Sequence, residues 1–461
     1  MIIRYNEVKI YKKGEFCMKE LWLQRPFRWY WLGLFLSGLG DQMGWMALSW
    51  FVMERTQSPV AMGGIIMAYM LPAVFAGLVA GVLLDRYDRK KLIVVDNVGR
   101  GVIFFGLVAL LQMEQVPLLS VYILVVCAGI LSPMSSAGAQ TLLPRLVPKK
   151  ELLVKANGVM ESQWQIVYML GPAMAGVLIG WIGPANVLIL NAVSFFICAF
   201  CFSRLPRQIV SHQVQDQEAS SGATAKKIGP FLRSLLADMR VGYRFLFGRK
   251  EMLLLVIFTF LFNMGYGPVE VALPLYANKD LAAGPVGLGM LWSSLAVGAL
   301  LGSLLFTAIR WKLATGVTLG GIIVLWGLAT LPLALFPRLE VAMLAMGIAG
   351  LSFSPYNILY RSYLQNHVPD HLLGRVMTSI RTITGTGMPA GAAVCGVLIP
   401  VLGVRGLLGA GATACILMGL LALGLLRGLD QQGSLAVDQR GGDSLQPVGQ
   451  EGVELGEERK A

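Results

Sequence analysis

The sequence predicts an all-α membrane protein in which twelve transmembrane helices form two six-helix repeats. Three observations support this fold class: the scarcity of charge, the recurrence of long apolar windows, and an internal repeat. Of the 461 residues, 56% are hydrophobic and only 14% are charged, whereas a soluble protein has about 25% charged residues. So little charge is typical of a protein whose outer surface faces lipid.

The apolar windows recur along nearly the whole chain, and each can cross the roughly 30 Å of bilayer hydrocarbon as a helix. A transmembrane β-barrel would instead show alternating strands of about ten residues. The N-terminal arm is polar and basic, so we expect no cleavable signal peptide. The twelve predicted spans are Trp29–Met53, Val60–Leu84, Leu92–Leu111, Leu118–Leu143, Gly158–Ile182, Ala185–Phe202, Met252–Tyr276, Gly287–Ile309, Ala314–Phe336, Val341–Tyr363, Val376–Val401 and Gly403–Leu426.

A long polar loop divides the spans into two groups of six. The predicted organisation is a cytoplasmic arm (1–28), a first bundle (29–203), a cytoplasmic linker (204–250), a second bundle (251–427) and a disordered tail (428–461). Ser, Gln and charged residues make the linker flexible, and Phe231–Phe247 at its end is compatible with a surface helix.

The two groups resemble each other in sequence. Gly77–Gly81 matches Gly298–Gly302, and Leu143–Pro148 matches Leu364–Pro369, both at an offset of 221 residues. Two parallel repeats are a transporter architecture with a central site at the membrane midplane.

The cations predict the orientation of the chain. With both termini in the cytoplasm, 32 Lys and Arg residues lie on the cytoplasmic side and four lie outside, as the positive-inside rule requires. The net charge of +12 is therefore explained by a lipid-bilayer partner. Nucleic acid is not expected as a partner, because binding it would need basic residues on one folded face.

Neither a metal nor a nucleotide cofactor is expected. Cys198 and Cys201 spell C-x-x-C inside an apolar helix, where packed thiols are the simpler interpretation. The chain contains no Gly-Lys pair, so it lacks a P-loop for ATP. Any work of transport must come from a gradient or a partner, and we expect a monomer.

The charged loop between the second and third spans carries a recognisable motif. It reads "GVLLDRYDRKK" and resembles the loop signature of the major facilitator superfamily, although Asp88 stands where that family usually has Gly. The stretches "MERTQSPVAMGG", "LPRLVPKKELLVKANG" and "LQNHVPDHLLGRV" look like the branch holding bacterial macrolide efflux pumps and the enterobactin exporter. The predicted gate residues are Gly81, Asp85, Arg86, Arg89 and Lys90.

The resemblance implies that Asp85 latches the cytoplasmic side. An Asp at the membrane boundary can accept hydrogen bonds from a neighbouring helix, whereas the alternative is that the loop's cations serve only orientation. The second repeat has Phe306 in place of Asp85 and Arg310 in place of Arg89, so we expect the gate to be asymmetric.

The fifth span resembles the antiporter motif of the same superfamily through Gly171, Pro172 and Gly176. Pro removes a backbone hydrogen bond and permits a bend, and small residues permit close helix contact. We interpret the motif as a hinge, with ordinary helix packing as the alternative.

Ionisable residues inside the spans are costly and mark function by default. A carboxylate in a low-dielectric cavity can exchange protons near neutral pH, which is the minimum chemistry of proton antiport. Each residue also has an alternative interpretation. Asp41 could be a hydrogen-bonded structural residue, Asp96 and Arg100 could form a structural pair, and Glu161 could meet interfacial water. Glu270 could bind a cation, and Arg381 could form a gate salt bridge. The candidates for proton coupling or intramembrane charge are Asp41, Asp96, Arg100, Glu161, Glu270 and Arg381.

Polar and aromatic residues on the first, fourth, seventh and tenth spans are candidates for a substrate cavity, because these spans line the cavity in the family that the chain resembles. Packing against a neighbouring helix is the alternative for each. The candidates are Trp45, Gln140, Asn263, Tyr266, Tyr356, Asn357 and Tyr360.

Together these features predict a secondary transporter of the plasma membrane. It would export a small amphipathic, drug-like molecule by alternating access, in exchange for protons. Siderophore export is the alternative within this class, and a lipid flippase or scramblase, or a non-transporting sensor, are the alternatives outside it. No enzyme is expected, because no convergent catalytic constellation is evident.

Overall fold

The computed structural model describes residues 18–147, 149–206, 228–309 and 313–427. These residues are helical almost throughout, and no strand occurs among them. The predicted all-α fold class is therefore confirmed.

The first half of the chain forms a short helix and six long ones. Most long helices begin and end within a few residues of the predicted spans, and the fifth span starts eight residues earlier than predicted. The helices are α1 (Met18–Leu23), α2 (Arg25–Thr56), α3 (Pro59–Arg86), α4 (Arg89–Leu111), α5 (Leu118–Leu146), α6 (Lys150–Ile182) and α7 (Pro184–Ser203).

The second half begins with a helix that belongs to the linker. Its long helices follow, and α9 continues into a π-helical turn at Tyr276–Asp280. The helices are α8 (Ile228–Phe247), α9 (Lys250–Leu275), α10 (Gly284–Ala308), α11 (Thr315–Leu335), α12 (Leu339–His367), α13 (Asp370–Gly385) and α14 (Gly387–Leu425).

Twelve crossings follow from these helices. Ten segments of the described chain are long and apolar enough to span a bilayer, and one of them, His371–Leu425, has 55 residues. That segment holds two spans, because Gly403 (φ 70°, ψ 168°) breaks the helical path inside α14. The twelfth is α2, whose 32 residues are long enough to cross even though tryptophan, glycine and polar residues make it less apolar.

The bundle has two chemically different ends. We call the end at which α2, α4, α6 and α9 begin the basic end, because the loop after α3, the start of α6 and the linker bring their cations there. The other end, where α2 meets α3 and where α9 meets α10, is called the opposite end. The charge distribution predicts that the basic end is cytoplasmic.

Each half packs chiefly within itself. In the first half, α2 lies against α6 and α7, α3 against α5, and α4 against α5 and α7. In the second half, α14 lies against α9 and α11, and α12 against α10 and α11. This arrangement leaves two helix pairs, α3 with α14 and α6 with α10, as the largest contacts between the halves.

Glycines bring the helices of these two pairs into backbone contact near the opposite end. A Cβ at Gly396 of α14 would lie 2.8 Å from the Pro59 carbonyl oxygen of α3, and one at Gly289 of α10 would lie 2.6 Å from the Pro172 carbonyl oxygen of α6. Small residues at a crossing allow this approach in membranes. The two crossings therefore hold the two halves together near the opposite end.

The linker helix α8 is fixed to α13 at the basic end. Asp238 of α8 forms an ion pair with Arg375 of α13 at 2.8 Å, and the Ser379 hydroxyl donates a hydrogen bond to the Met239 carbonyl. The second half thus carries the end of the linker as part of its own packing.

Candidate functional site

A cavity of about 600 Å³ lies between the two halves. The first half contributes α2 and α6 to its wall, and the second half contributes α9, α10 and α12. It extends toward the basic end as far as Arg361, fewer than two helical turns before the end of α12. Its polar lining residues are Gln42, Ser49, Gln165, Glu270, Ser354, Asn357 and Arg361, and its aromatic ones are Trp45, Tyr168, Tyr266, Trp292 and Phe353.

One hydrogen bond crosses this cavity from half to half. The indole Nε1 of Trp45 on α2 donates to Oε2 of Glu270 on α9 at 3.3 Å. Apart from this indole, the wall near Glu270 is mostly apolar and aromatic. The site can therefore offer one carboxylate to a positively charged or protonated group within an aromatic surface.

Aromatic rings order the wall on both sides of this bond. Trp45 packs on Tyr69 of α3 with ring centroids 5.2 Å apart. On the other side, Tyr266 stacks on Phe353 at 5.8 Å and packs against Trp292 at 6.4 Å. Rigid rings present a large apolar area at little conformational cost, which suits a flat or bulky amphipathic ligand.

A second charged group lies within the first half, where α2 meets α4. Arg100 pairs with Asp96, one turn earlier on α4, through two hydrogen bonds of 3.0 and 3.1 Å. Its remaining nitrogen reaches both carboxylate oxygens of Asp41 on α2 at 3.4 Å. The side chains of Arg100 and Asp96 are 4% and 1% exposed, whereas that of Asp41 is 41% exposed.

Neighbouring polar groups hold Asp96 in place. The Ser135 hydroxyl of α5 donates to Asp96, and the Asn97 amide donates to that hydroxyl at 2.8 Å. On the other side the Arg100 guanidinium lies 4.2 Å from the centre of the Phe195 ring of α7. The cluster therefore joins α2, α4, α5 and α7, which is the arrangement expected for an ion group buried in a bundle interior.

The predicted cavity residues divide into two sets. Trp45, Tyr266 and Asn357 line the cavity. The other four are placed elsewhere: the Tyr356 hydroxyl meets Thr259 at 2.8 Å, the Asn263 amide donates to the Thr384 carbonyl, Tyr360 is buried against Tyr356, and Gln140 is exposed on α5 away from the cavity lining.

The charged loop after α3 is mostly engaged in local structure. Asp88 is the N-cap of α4, because its carboxylate accepts hydrogen bonds from the backbone amides of Lys90 and Lys91 at 2.9 and 3.2 Å. The Lys90 ammonium donates to the Ser203 and Leu205 carbonyls at the end of α7. Asp88, which stands where the family usually has Gly, therefore stabilises the start of α4 as its cap.

The gate itself is only partly described. Arg89 donates to the Leu84 carbonyl at 3.0 Å, and Arg86 is half-buried at the end of α3. The side chain of Asp85 lies outside the described residues. Within the described part of the chain, and leaving aside the neighbouring residues of its own helix, no heavy atom lies within 4 Å of the place that a Cβ on Gly81 would take.

Gly298 and Gly302, the repeat counterparts of Gly77 and Gly81, are packed tightly. At Gly298 and Gly302 of α10, an added Cβ would meet the backbone of Gly347 and Leu351 on α12. The two halves therefore use the same glycine spacing differently, since in α3 a Cβ at Gly77 would meet only Pro133, at 3.9 Å, and one at Gly81 would meet no other described helix.

The predicted hinge residues lie at contacts between helices. A Cβ at Gly176 would lie 2.7 Å from the Pro285 carbonyl oxygen of α10, and one at Gly171 would lie 2.5 Å from the Gln42 Cβ of α2. Helix α6 continues through Pro172, which lines the cavity. The motif thus forms the α6–α10 crossing.

The last two predicted charges are exposed. Glu161 accepts a hydrogen bond from Gln165 one turn along α6 at 3.2 Å. Arg381 lies on α13, four residues before the break that separates α13 from α14. Neither joins the charged cluster of the first half.

Eight of the twelve polar and aromatic lining residues were not among the sequence candidates. They include Gln42, Tyr168, Trp292 and Arg361. Of these four, only Gln42 could have been found from the sequence, because it is a polar residue next to Asp41 in an apolar helix. Among the described residues, no group of three or more His, Cys, Asp and Glu could hold a metal ion.

Comparison with known proteins identifies the family. The sequence model of the Major Facilitator Superfamily matches residues 30–392. An uncharacterised MFS-type transporter, y4rN of Sinorhizobium fredii, is 30% identical over 378 residues, covering 79% of this chain and 86% of its own. The multidrug efflux pump Tap of Mycobacterium tuberculosis is 25% identical over 88% of this chain and 94% of its own. Macrolide efflux protein A of Streptococcus pyogenes is 23% identical over 81% of this chain and 89% of its own.

Solved structures share the fold. The nucleoside transporter NupG has a TM-score of 0.71 at 14% identity, covering 87% of this chain and 99% of its own. A bacterial homologue of the iron transporter ferroportin, in an inward-facing state, has a TM-score of 0.62 at 15% identity, covering 88% and 99%.

Proposed function

Because the chain belongs to the major facilitator superfamily and is a multi-pass membrane transporter, we propose that it exports a small amphipathic molecule across the plasma membrane. The substrate is drug-like or macrolide-like, and export is driven by proton antiport. Two relatives with efflux names, a multidrug pump and a macrolide efflux protein, support the direction and the substrate class. Their low identity leaves the particular molecule to experiment.

The observation that carries the proposal is the cavity between the halves with Glu270 in its wall. Its volume of about 600 Å³ lies within the range of pockets that enclose drug-sized ligands. Aromatic rings supply the apolar contacts, and a carboxylate supplies the single strong polar one. A ligand with an apolar body and a protonated amine fits this lining.

We take the two crossings to close the opposite end, and this supports alternating access as the mechanism. When the α3–α14 and α6–α10 contacts are made, the cavity is reached from the basic end. When they separate, the same cavity opens to the opposite side. With the basic end in the cytoplasm, the described state is the one that loads substrate for export.

Proton exchange is assigned to Glu270. A carboxylate in an aromatic wall can lose its proton to bind a cationic substrate and regain one to release it. Asp41 is the less suitable of the two candidates, because the guanidinium of Arg100 lies 3.4 Å from it and already balances part of its charge.

The test is transport into inverted membrane vesicles from an efflux-deficient host. Respiration acidifies the vesicle lumen, and accumulation of ethidium, erythromycin, tetracycline and a catecholate siderophore is followed with and without an uncoupler. We expect uncoupler-sensitive accumulation of at least one of the drugs, its loss in Glu270→Gln, and its retention in Glu340→Gln, an exposed carboxylate at the opposite end. Failure to move any compound would overturn the proposal, and movement of the siderophore alone would reassign the substrate.

A further inference from the structure

The hydrogen bond between Trp45 and Glu270 joins the two halves inside the cavity. We propose that this bond makes closure of the opposite end depend on the charge of Glu270. The inference deepens the proposed function, because it rests on Glu270 being the group that exchanges protons. It makes Trp45 a positioning residue that senses the state of the carboxylate.

The chemistry of the two groups makes the bond sensitive to charge. An indole N–H can only donate, so Trp45 needs an acceptor on α9. An ionised carboxylate is the stronger acceptor, since charge-assisted hydrogen bonds are roughly twice as strong as neutral ones. Adding a proton to Glu270 weakens the bond while the two side chains stay the same size.

The surroundings of Glu270 leave this contact as its main polar interaction. Tyr168 of α6, Tyr266 of its own helix and Trp292 of α10 share the cavity wall with it. Arg361 of α12 is the cation among the described lining residues. It lies within two turns of the basic end, whereas Glu270 lies twenty residues from the start of α9, so the two are separated by roughly 20 Å along the bundle axis.

The charges of α2 and α4 nearest to Trp45 are already paired. Asp41 lies one turn before Trp45 on α2, but Arg100 lies between it and Asp96. The cluster of Arg100 with the two carboxylates therefore offers no free cation to Glu270. The indole is the group that the first half presents to that carboxylate.

The bond also lies next to helices that form the two crossings at the opposite end. Trp45 packs on Tyr69 of α3, the helix that crosses α14 near the opposite end. The helix that carries Glu270 contacts α10 through the Tyr266–Trp292 pair, and α10 crosses α6. A change at the bond is thus transmitted to both crossings through rings already in contact.

The experiment measures closure directly. Spin labels are attached at Gln115 and Glu340, both exposed at the opposite end and on different halves, in a cysteine-free full-length protein in lipid nanodiscs. Pulsed electron resonance gives the closed-to-open ratio between pH 5 and 9. For the wild type we expect the ratio to rise with pH, because loss of the proton from Glu270 strengthens the bond.

Two substitutions isolate the bond. Trp45→Phe keeps an aromatic ring and removes the N–H, and it should lower the closed-to-open ratio about tenfold at high pH, with little change at low pH. Glu270→Gln keeps an acceptor without charge and should give a pH-independent ratio near the low-pH value of the wild type.

Trp50→Phe is the matched control. The Trp50 indole donates to the Glu54 carboxylate at 2.6 Å. The substitution therefore removes the same kind of indole–carboxylate bond, but one within a single helix. We expect its pH response to equal that of the wild type.

A wild-type pH response in Trp45→Phe would overturn the inference, as would the same loss in Trp50→Phe. The outcome is independent of the vesicle assay. A Trp45-dependent response with no drug export refutes the proposed function alone, whereas proton-driven export with an unchanged Trp45→Phe response refutes this inference alone.

Discussion

Replacing Asp96 by Asn tests how the first half is held together. Arg100 is 4% exposed and donates its two shorter hydrogen bonds, of 3.0 and 3.1 Å, to the carboxylate of Asp96. The amide of Asn keeps one acceptor oxygen but carries no charge, so the substitution leaves the buried guanidinium with Asp41, at 3.4 Å, as its only carboxylate partner.

The expected loss follows from that geometry. Removing one partner of a buried ion pair costs about 3–5 kcal/mol, which corresponds to a fall in melting temperature of roughly 3–6 °C for a chain of 461 residues. Asp41→Asn is the matched comparison. Because Asp41 meets Arg100 only through the longer contacts of 3.4 Å, and Arg100 keeps Asp96 in this variant, we expect a smaller loss than in Asp96→Asn.

Thermal unfolding of the purified protein in detergent, followed by the exposure of buried thiols, measures both effects. The double variant Asp96→Leu with Arg100→Met removes the pair together and should be more stable than Asp96→Asn, because no buried guanidinium is left without its partner and Asp41, which loses its cation, can neutralise itself by taking up a proton. Equal losses in Asp96→Asn and Asp41→Asn, or a double variant less stable than Asp96→Asn, would refute this reasoning.

Further predictions concern the helix cap and the crossing. Asp88→Ala should cost about 1 kcal/mol because α4 loses its N-cap, and Asp88→Asn should cost much less; the same unfolding assay measures both, and equal losses would argue against the cap. Gly289→Ala should open the opposite end, since a Cβ there would lie 2.6 Å from the Pro172 carbonyl oxygen and overpacking costs about 1–3 kcal/mol. Gly180→Ala is its control, with its nearest neighbour at 3.5 Å; the spin-label pair should report opening in the first variant and none in the second.

The fold could be predicted from the sequence because bilayer thickness fixes the length of a span. The internal repeat and the cation distribution then indicated the arrangement and its orientation. The break at Gly403 also coincides with the boundary between the last two predicted spans, since Gly adopts a positive φ without strain.

The cavity could be predicted only in part. Spacing alone placed Asp96 and Arg100 within reach of each other, because residues four apart share a helix face. The approach of Asp41 depends on how α2 packs on α4, and no local pattern encodes that. Helices that are apolar on all sides show no amphipathic face, so the sequence could not tell that Tyr266 faces the cavity while the Asn263 amide bonds to the Thr384 carbonyl.

Asp88 shows a different limit. The family pattern marks it only as a departure within a charged motif and predicts no structural role for it. An Asp placed directly before a helix is also a strong capping signal, and its contacts with the amides of Lys90 and Lys91 agree with that local rule.

The unequal surroundings of Gly81 and Gly302 have a consequence for how this protein tolerates variation. A larger residue at Gly302 would meet the Leu351 backbone in this state, so variants there should disappear from any library selected for abundance. Space is free at Gly81 among the described neighbours, so its variants should persist in the membrane at normal levels. If α3 closes against another helix during the cycle, those same variants should be lost only when drug resistance is selected, and comparing the two selections would locate surfaces that meet in conformations other than this one.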